Sequence, residues 1–268
     1  MGKNLCSRIG LFIIVLYSLS LSSAGNEKIR IAAIFPKSGD SVLIYQNDGV
    51  PELVGCRLAV DEINSRGGVH GKEIELIELD NQSSPVGSKI MAEKASEMQV
   101  AAVVGSNWSS LTISAARVLQ NAGIPMITPI STSPEVTEIG NCIFRVCYTD
   151  NYQGKIMAGF ARKELKAKTA IVLVNQNELY SVTLSKAFSE FFTSLGGKII
   201  LSGKYLEEDT DFTPLVSVLT RYQPDVVFVP GNVRNTGFII KQARKSGVKC
   251  IFLSGDSWDE GLYPYGEH

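Results

Sequence analysis

Three stretches of this sequence carry side chains whose types and spacing suit the capture of a small polar molecule. GSNWSS at 105–110 and TPISTSPEVT at 128–137 gather hydroxyls and amides where the chain turns into a helix. Backbone N–H groups at a helix start attract anions, and Ser109, Ser131 and Thr132 add hydroxyl donors, so a ligand carboxylate would be well served there. LSGDSWDE at 253–260 places the carboxylate of Asp256 beside Trp258, just after an apolar run. A carboxylate in that position could pair with an ammonium while a ring closes over the ligand. Each feature also has a plainer reading. Ser109 would serve equally as a helix N-cap. Thr132 and Ser133 could cap a short helix beginning near Pro134, and Asp256 could be a solvated turn aspartate. Tyr45 and Tyr180 are candidate aromatic walls, or simply packing.

Other chemistries lack their residues. The only histidines among 268 residues are His70 and His268, which leaves little for a metal site or a catalytic triad. No Walker A sequence, GxGxxG after the first strand, HExxH or GxSxG occurs, so no cofactor is expected. A secreted hydrolase would need a nucleophile and a base, which His70, in a turn after a helix stop, and the terminal His268 do not supply. Net charge is −1, with 26 basic and 27 acidic residues, so the electrostatic footprint of a nucleic-acid binder is missing.

The binding stretches need elements to hold them. Ile29–Phe35 is a nearly continuous apolar run, the mark of a strand buried on both faces of a parallel sheet. Further strands are expected at Glu73–Leu79, Val100–Val104, Ile124–Thr128, Ile143–Cys147, Thr169–Val174, Lys198–Leu201, Asp225–Val229 and Lys249–Leu253. Helical spacing falls between them, at Gly55–Ser65, Val86–Gln99, Ser110–Asn121, Tyr152–Leu165, Val182–Leu195, Phe212–Arg221 and Asn235–Ser246. Strands alternating with helices of these lengths argue an α/β fold of βαβ units with parallel, doubly wound sheets. In such sheets ligands meet the loops at the carboxyl ends of the strands. The three chemical stretches all fall on such loops. A break near Tyr148–Asn151 suggests a hinge between lobe one (25–148) and lobe two (149–268), the latter ending in a loop-like GLYPYGEH as if unfinished.

Residues 1–24 read as a secretory signal. Lys3 and Arg8 precede the apolar run Leu11–Leu21, and Ser22-Ser23-Ala24 supplies a cleavage site. Cys6 lies upstream of that run, so it is not a lipoprotein cysteine. Without the signal the chain would carry 24 basic and 27 acidic residues and no second long apolar segment, as expected of a soluble extracytoplasmic protein. Cys56, Cys142, Cys147 and Cys250 remain. Their spacing does not suggest zinc, and they are expected to be buried free thiols.

The order of these stretches resembles the periplasmic leucine/isoleucine/valine-binding protein family, the type I solute-binding proteins of ABC transporters. The matching segments are IRIAAIFPKSGD, GCRLAVDEINSRGGVHGKEIELIELDNQSSP, AAVVGSNWSS, AGIPMITPISTSPEVT, FRVCYTDNYQG, PDVVFVPGN and FLSGDSWDE, and they span nearly all of the chain after residue 24. The resemblance implies two Rossmann-like lobes closing on a ligand, with delivery to a membrane permease. It implies that Ser109 and Thr132 hold an amino-acid α-carboxylate, that Tyr180 supplies a ring, and that Asp256 takes the α-ammonium in place of a longer glutamate. Tyr45 falls near a family aromatic, in a loop (Asp40–Leu53) that is longer here. Trp108 stands where the branched-chain binders have a cysteine, and Asn232 where they have an aromatic residue. These departures leave the amino-acid frame intact and the branched aliphatic preference open. A ligand-binding receptor domain of the same fold is the alternative.

Overall fold

The described chain opens on IRIAAIF, and its alternation explains why a run so apolar becomes a strand. Ala32 and Ile34 face one buried cluster while Ala33 and Phe35 face another, so both surfaces of the strand are covered. A computed structural model describes residues 27–38 and 50–258. The expected signal at 1–24, with Cys6, lies outside the described residues, and so does Tyr45.

Strands and helices alternate throughout: β1 (Ile29–Phe35), α1 (Pro51–Ser65), β2 (Ile74–Asp80), α2 (Pro85–Glu97), β3 (Ala102–Gly105), α3 (Ser109–Ala122), β4 (Met126–Thr128), α4 (Glu135–Glu138) and β5 (Ile143–Arg145) come first. They are followed by α5 (Asp150–Lys163), β6 (Thr169–Asn175), α6 (Leu179–Ser194), β7 (Lys198–Tyr205), α7 (Thr213–Tyr222), β8 (Val226–Phe228), α8 (Val233–Lys245) and β9 (Ile251–Leu253). The first five strands form one sheet in the order β2-β1-β3-β4-β5, and the last four form another in the order β7-β6-β8-β9. Every pairing is parallel. The α/β class with doubly wound sheets is therefore as the sequence indicates, and the second sheet repeats the winding of the first.

Boundaries differ where local chemistry outweighs periodicity. Helix α1 begins at Pro51, four residues before the expected Gly55, because a proline in the first turn is preset for helix and loses no needed donor. Strand β7 runs on to Tyr205, well past Leu201, since its central residues pair along the length of β6. The four cysteines are free but half-buried rather than fully buried.

The second sheet is also covered on both faces. Ala170, Val172 and Val174 of β6 pack into one cluster, and Ile171 and Leu173 into the other. In the first of these clusters the Phe188 and Phe228 rings stack with centroids 3.9 Å apart and planes 7° from parallel. The outer flank of the first sheet is less sheltered. Phe144 on β5 and Val146 just after it are exposed. On the second unit, Tyr152, Ile156 and Phe160 form an exposed row along α5, whose other face packs into the second sheet's core.

Truncating a ring in the Phe188–Phe228 stack removes buried apolar contacts and leaves a cavity. Phe228→Ala is expected to cost about 3–5 kcal/mol, read as a lower urea midpoint with an unchanged slope. A change below about 1 kcal/mol would mean that the stack is not part of the tightly packed core.

Candidate functional site

In both sheets the winding reverses next to the first-formed strand, between β1 and β3 and again between β6 and β8. Loops at such switch points diverge and open a crevice at the carboxyl ends of the strands. The loop from β3 to α3 lines the first crevice, and the turn from β6 to α6 lines the second. The two units meet there: Leu179, at the start of α6, packs against the core of the first sheet.

On the first unit the loop is shaped by a glycine and fixed by hydroxyls. Gly105 has φ +144°, and a Cβ there would collide with the Ile34 carbonyl. The next carbonyl, Ser106, accepts hydroxyls from Thr128 (2.8 Å), Thr112 (3.1 Å) and Ser131 (3.2 Å), all buried. Ser131 is thus a strut, its Oγ also 2.6 Å from Thr112 Oγ1. Ser109 is not the expected N-cap. Trp108 holds that position, makes no side-chain cap and is 39% exposed. The first turn of α3 therefore has no side-chain oxygen closing it. Ser109 Oγ instead accepts the Ser133 N–H at 3.1 Å, which leaves the hydroxyl proton to donate elsewhere. The expected caps on α4 are absent as well. Pro134 occupies that position, and the Thr132 hydroxyl goes to Asp150.

Asp150 joins the two units. Its N–H donates to the Thr132 carbonyl at 2.9 Å, and its carboxylate receives hydroxyls from Thr132 of the first unit and Thr183 of α6. The residue is 0% exposed, and Oδ1 keeps no hydrogen-bond partner. Burial pushes its pKa up to about 6, although both hydroxyls pull the other way. Three residues along α5, on the same helical face, Gln153 accepts the Asp256 N–H at 3.1 Å and the Tyr180 hydroxyl at 3.4 Å.

Tyr180 and Asp256 therefore come together through Gln153. Tyr180 is 8% exposed and belongs to the core of the second sheet, with only its hydroxyl end at the site. Burial raises its pKa, and the nearby Asp256 carboxylate raises it further. Asp256 itself sits in an exposed turn, and its charge also acts on Tyr148 and Asp150. Gly255 beside it has no room for a side chain, since a Cβ would strike Gln153 and the Tyr180 hydroxyl. Asn232 is placed differently from the rest. It caps α8, accepting the Asn235 N–H at 2.9 Å, and its amide is committed to Glu207 and Asn235.

Asp150, Gln153, Tyr148 and Glu178 share this neighbourhood, and the sequence alone does not single them out. The usable signal was the pair Asp150 and Gln153 on one face of a helix opened by the Thr149 cap, directly after the end of the first sheet. Glu178 gave no signal, because its surroundings are assembled from three distant segments.

Two parallel sheets, each with polar residues on the loops at its switch point, fit the architecture of a two-unit α/β binding protein. Residues 28–268 match the profile of a periplasmic binding protein family, and the chain belongs to that family. An amino acid binding protein of Pseudomonas aeruginosa is 30% identical over 258 residues, 96% of this chain and 68% of that protein. A leucine binding protein from Thermotoga maritima superposes with a TM-score of 0.81 at 33% identity, covering 89% of this chain and 66% of that one. A branched-chain amino acid transporter substrate binding protein from Streptococcus pneumoniae, solved with isoleucine, gives 0.80 at 29% identity, covering 89% and 67%. Against curated relatives the chain spans between 61% and 68% of their length. No helix among the described residues is long and apolar enough to cross a membrane.

The buried acids set a pH dependence. Asp150 rises from 3.8 to about 6, and Glu178, half-buried with its Oε2 shut from solvent and acted on by Glu207 and Asp150, from 4.5 to about 8. The folded state therefore holds more protons than the unfolded one between those values, so stability falls as pH rises through them. Glu78 works in the opposite sense at lower pH. Arg57 at 2.6 Å and Lys37 at 2.7 Å hold it at about 2, so its contribution is lost only as pH falls below 4.5. The thermal midpoint of the unliganded protein is expected to drop between pH 5 and 8. Asp150→Asn should flatten the lower part of that slope and Glu178→Gln the upper part. A pH-independent midpoint in all three proteins would contradict this account.

Proposed function

We propose that this chain is an extracytoplasmic solute-binding protein that captures an amino acid between two lobes and delivers it to the permease of an ABC transporter. In this reading residues 1–24 direct export, 25–148 form lobe one, 149–268 form lobe two, and the chain passes between them at the Asp150 junction. Its relatives are named amino acid and Leu/Ile/Val-binding proteins, which supports binding over catalysis. The observation that carries the proposal is one continuous line of contacts. It runs from Ser109 through Ser133 and Thr132 to Asp150, whose carboxyl feels the charge of Asp256. That line supports a reading in which an anion-attracting helix start and a carboxylate serve one ligand, the polarity an amino acid presents.

The ligand carboxylate meets the uncapped first turn of α3 and the free hydroxyl proton of Ser109. Thr132 serves through its backbone and neighbours, because its hydroxyl is committed to Asp150. Asp256 takes the α-ammonium, with the Tyr148 and Tyr180 hydroxyls beside it. Trp108 covers the ligand from the rim, while Ser131 and Asn232 hold the loops in shape. Closure excludes water and strengthens both charged contacts. Ligand binding then shifts a pre-existing open–closed equilibrium.

Titration calorimetry against the common amino acids tests this directly. Asp256→Ala is expected to lose about 2–5 kcal/mol of binding energy with an unchanged circular dichroism spectrum. Undiminished affinity would remove Asp256 from the site. Ser109→Ala should weaken carboxylate-bearing ligands more than their decarboxylated amines. Equal weakening would contradict the assigned polarity.

A further inference from the structure

We propose that the amino acid taken by this cleft carries a second cationic group at the end of its side chain, as in lysine or arginine, and that Glu178 receives it. The proposal rests on the amino-acid reading above and adds the ligand class.

Glu178 stands in the turn between β6 and α6, at the switch point of the second sheet. The next residue, Leu179, packs against the core of the first unit, so Glu178 lies at the seam between the two halves. Two residues further on is Tyr180, whose hydroxyl lies beside Asp256. Glu178 Oε2 is buried with no hydrogen-bond partner. The charges acting on it, Glu207 and Asp150, are both negative.

Two further buried polar atoms in the same neighbourhood are unanswered. Asp150 Oδ1 has no partner in a residue that is 0% exposed, and the hydroxyl of Tyr205, 2% exposed, has none either while feeling Glu178 and Glu207. Glu207 shows what a satisfied acid looks like here, since its two oxygens receive the amides of Asn175 and Asn232. Arg145, the cation that acts on Asp150, is engaged elsewhere. Its guanidinium donates to the carbonyls of Ser133 (2.7 Å) and Ser131 (3.3 Å) and to the Thr137 hydroxyl (3.1 Å).

Carboxyl groups crowded together in a buried seam without a counter-charge are unfavourable, and each unpaired oxygen adds a desolvation penalty. An aliphatic side chain closing over them would leave that penalty in place. An ammonium or guanidinium several bonds from the ligand Cα would supply both the donors and the charge. Asp256 then takes the α-ammonium, and Glu178, backed by Asp150 and the Tyr205 hydroxyl, takes the distal group.

Calorimetry on the full chain with L-lysine, L-arginine, L-leucine and L-norleucine separates the outcomes, norleucine being close in shape to lysine without its amine. Lysine or arginine is expected to bind at least tenfold tighter than norleucine, and Glu178→Gln to reduce that ratio by about tenfold. Norleucine or leucine binding as tightly as both basic amino acids would overturn the assignment of Glu178 and leave the amino-acid reading standing. No binding of any of the four, nor of the other common amino acids, would overturn both. The wild-type ratio decides without any variant, so a poorly folded Glu178→Gln protein would not rescue the claim.

Discussion

A buried carboxyl ties the two halves of this molecule, beside the packing of Leu179 against the first core. Asp150 lies at the point where the chain leaves the first sheet, and it gathers a hydroxyl from each side, Thr132 and Thr183, while its N–H binds the Thr132 carbonyl. Everything proposed for the site inherits its spacing from that junction. The loop carrying Ser109 is fixed to Ser133, next to Thr132, and the helix carrying Gln153 begins at Asp150 and positions the Asp256 turn. A group so buried is ionised at a cost, which is why burial raises its pKa to about 6 despite two donated hydrogen bonds.

Much of the architecture could be read from periodicity. IRIAAIF and TAIVLVN are apolar at nearly every position because helices cover both faces of their sheets, and no amphipathic strand would look like that. The helix ends set by proline were less legible. Pro51 starts α1 ahead of the apolar repeat, and Pro134 takes the cap position that a hydroxyl was expected to fill.

The site was legible in part, and the reason is the range of its contacts. Tyr180 and Asp256 each lie just beyond an apolar strand, so both fall on the loop edge that parallel sheets present. Whether a hydroxyl there faces ligand or protein depends on partners elsewhere in the chain. Ser131 answers to the Ser106 carbonyl and Thr132 to Asp150, and neither pairing leaves a trace in local spacing. Glu178 is the extreme case, its carboxyl raised first by desolvation and then by the charges of Glu207 and Asp150, both far from it in sequence.

The flank bearing Phe144 and Val146 has a practical side. Strand β5 is the last in its sheet among the described residues, so among them its outer edge pairs with no further strand and lies next to exposed Phe144 and Val146. Such a margin invites self-adhesion between neighbouring copies.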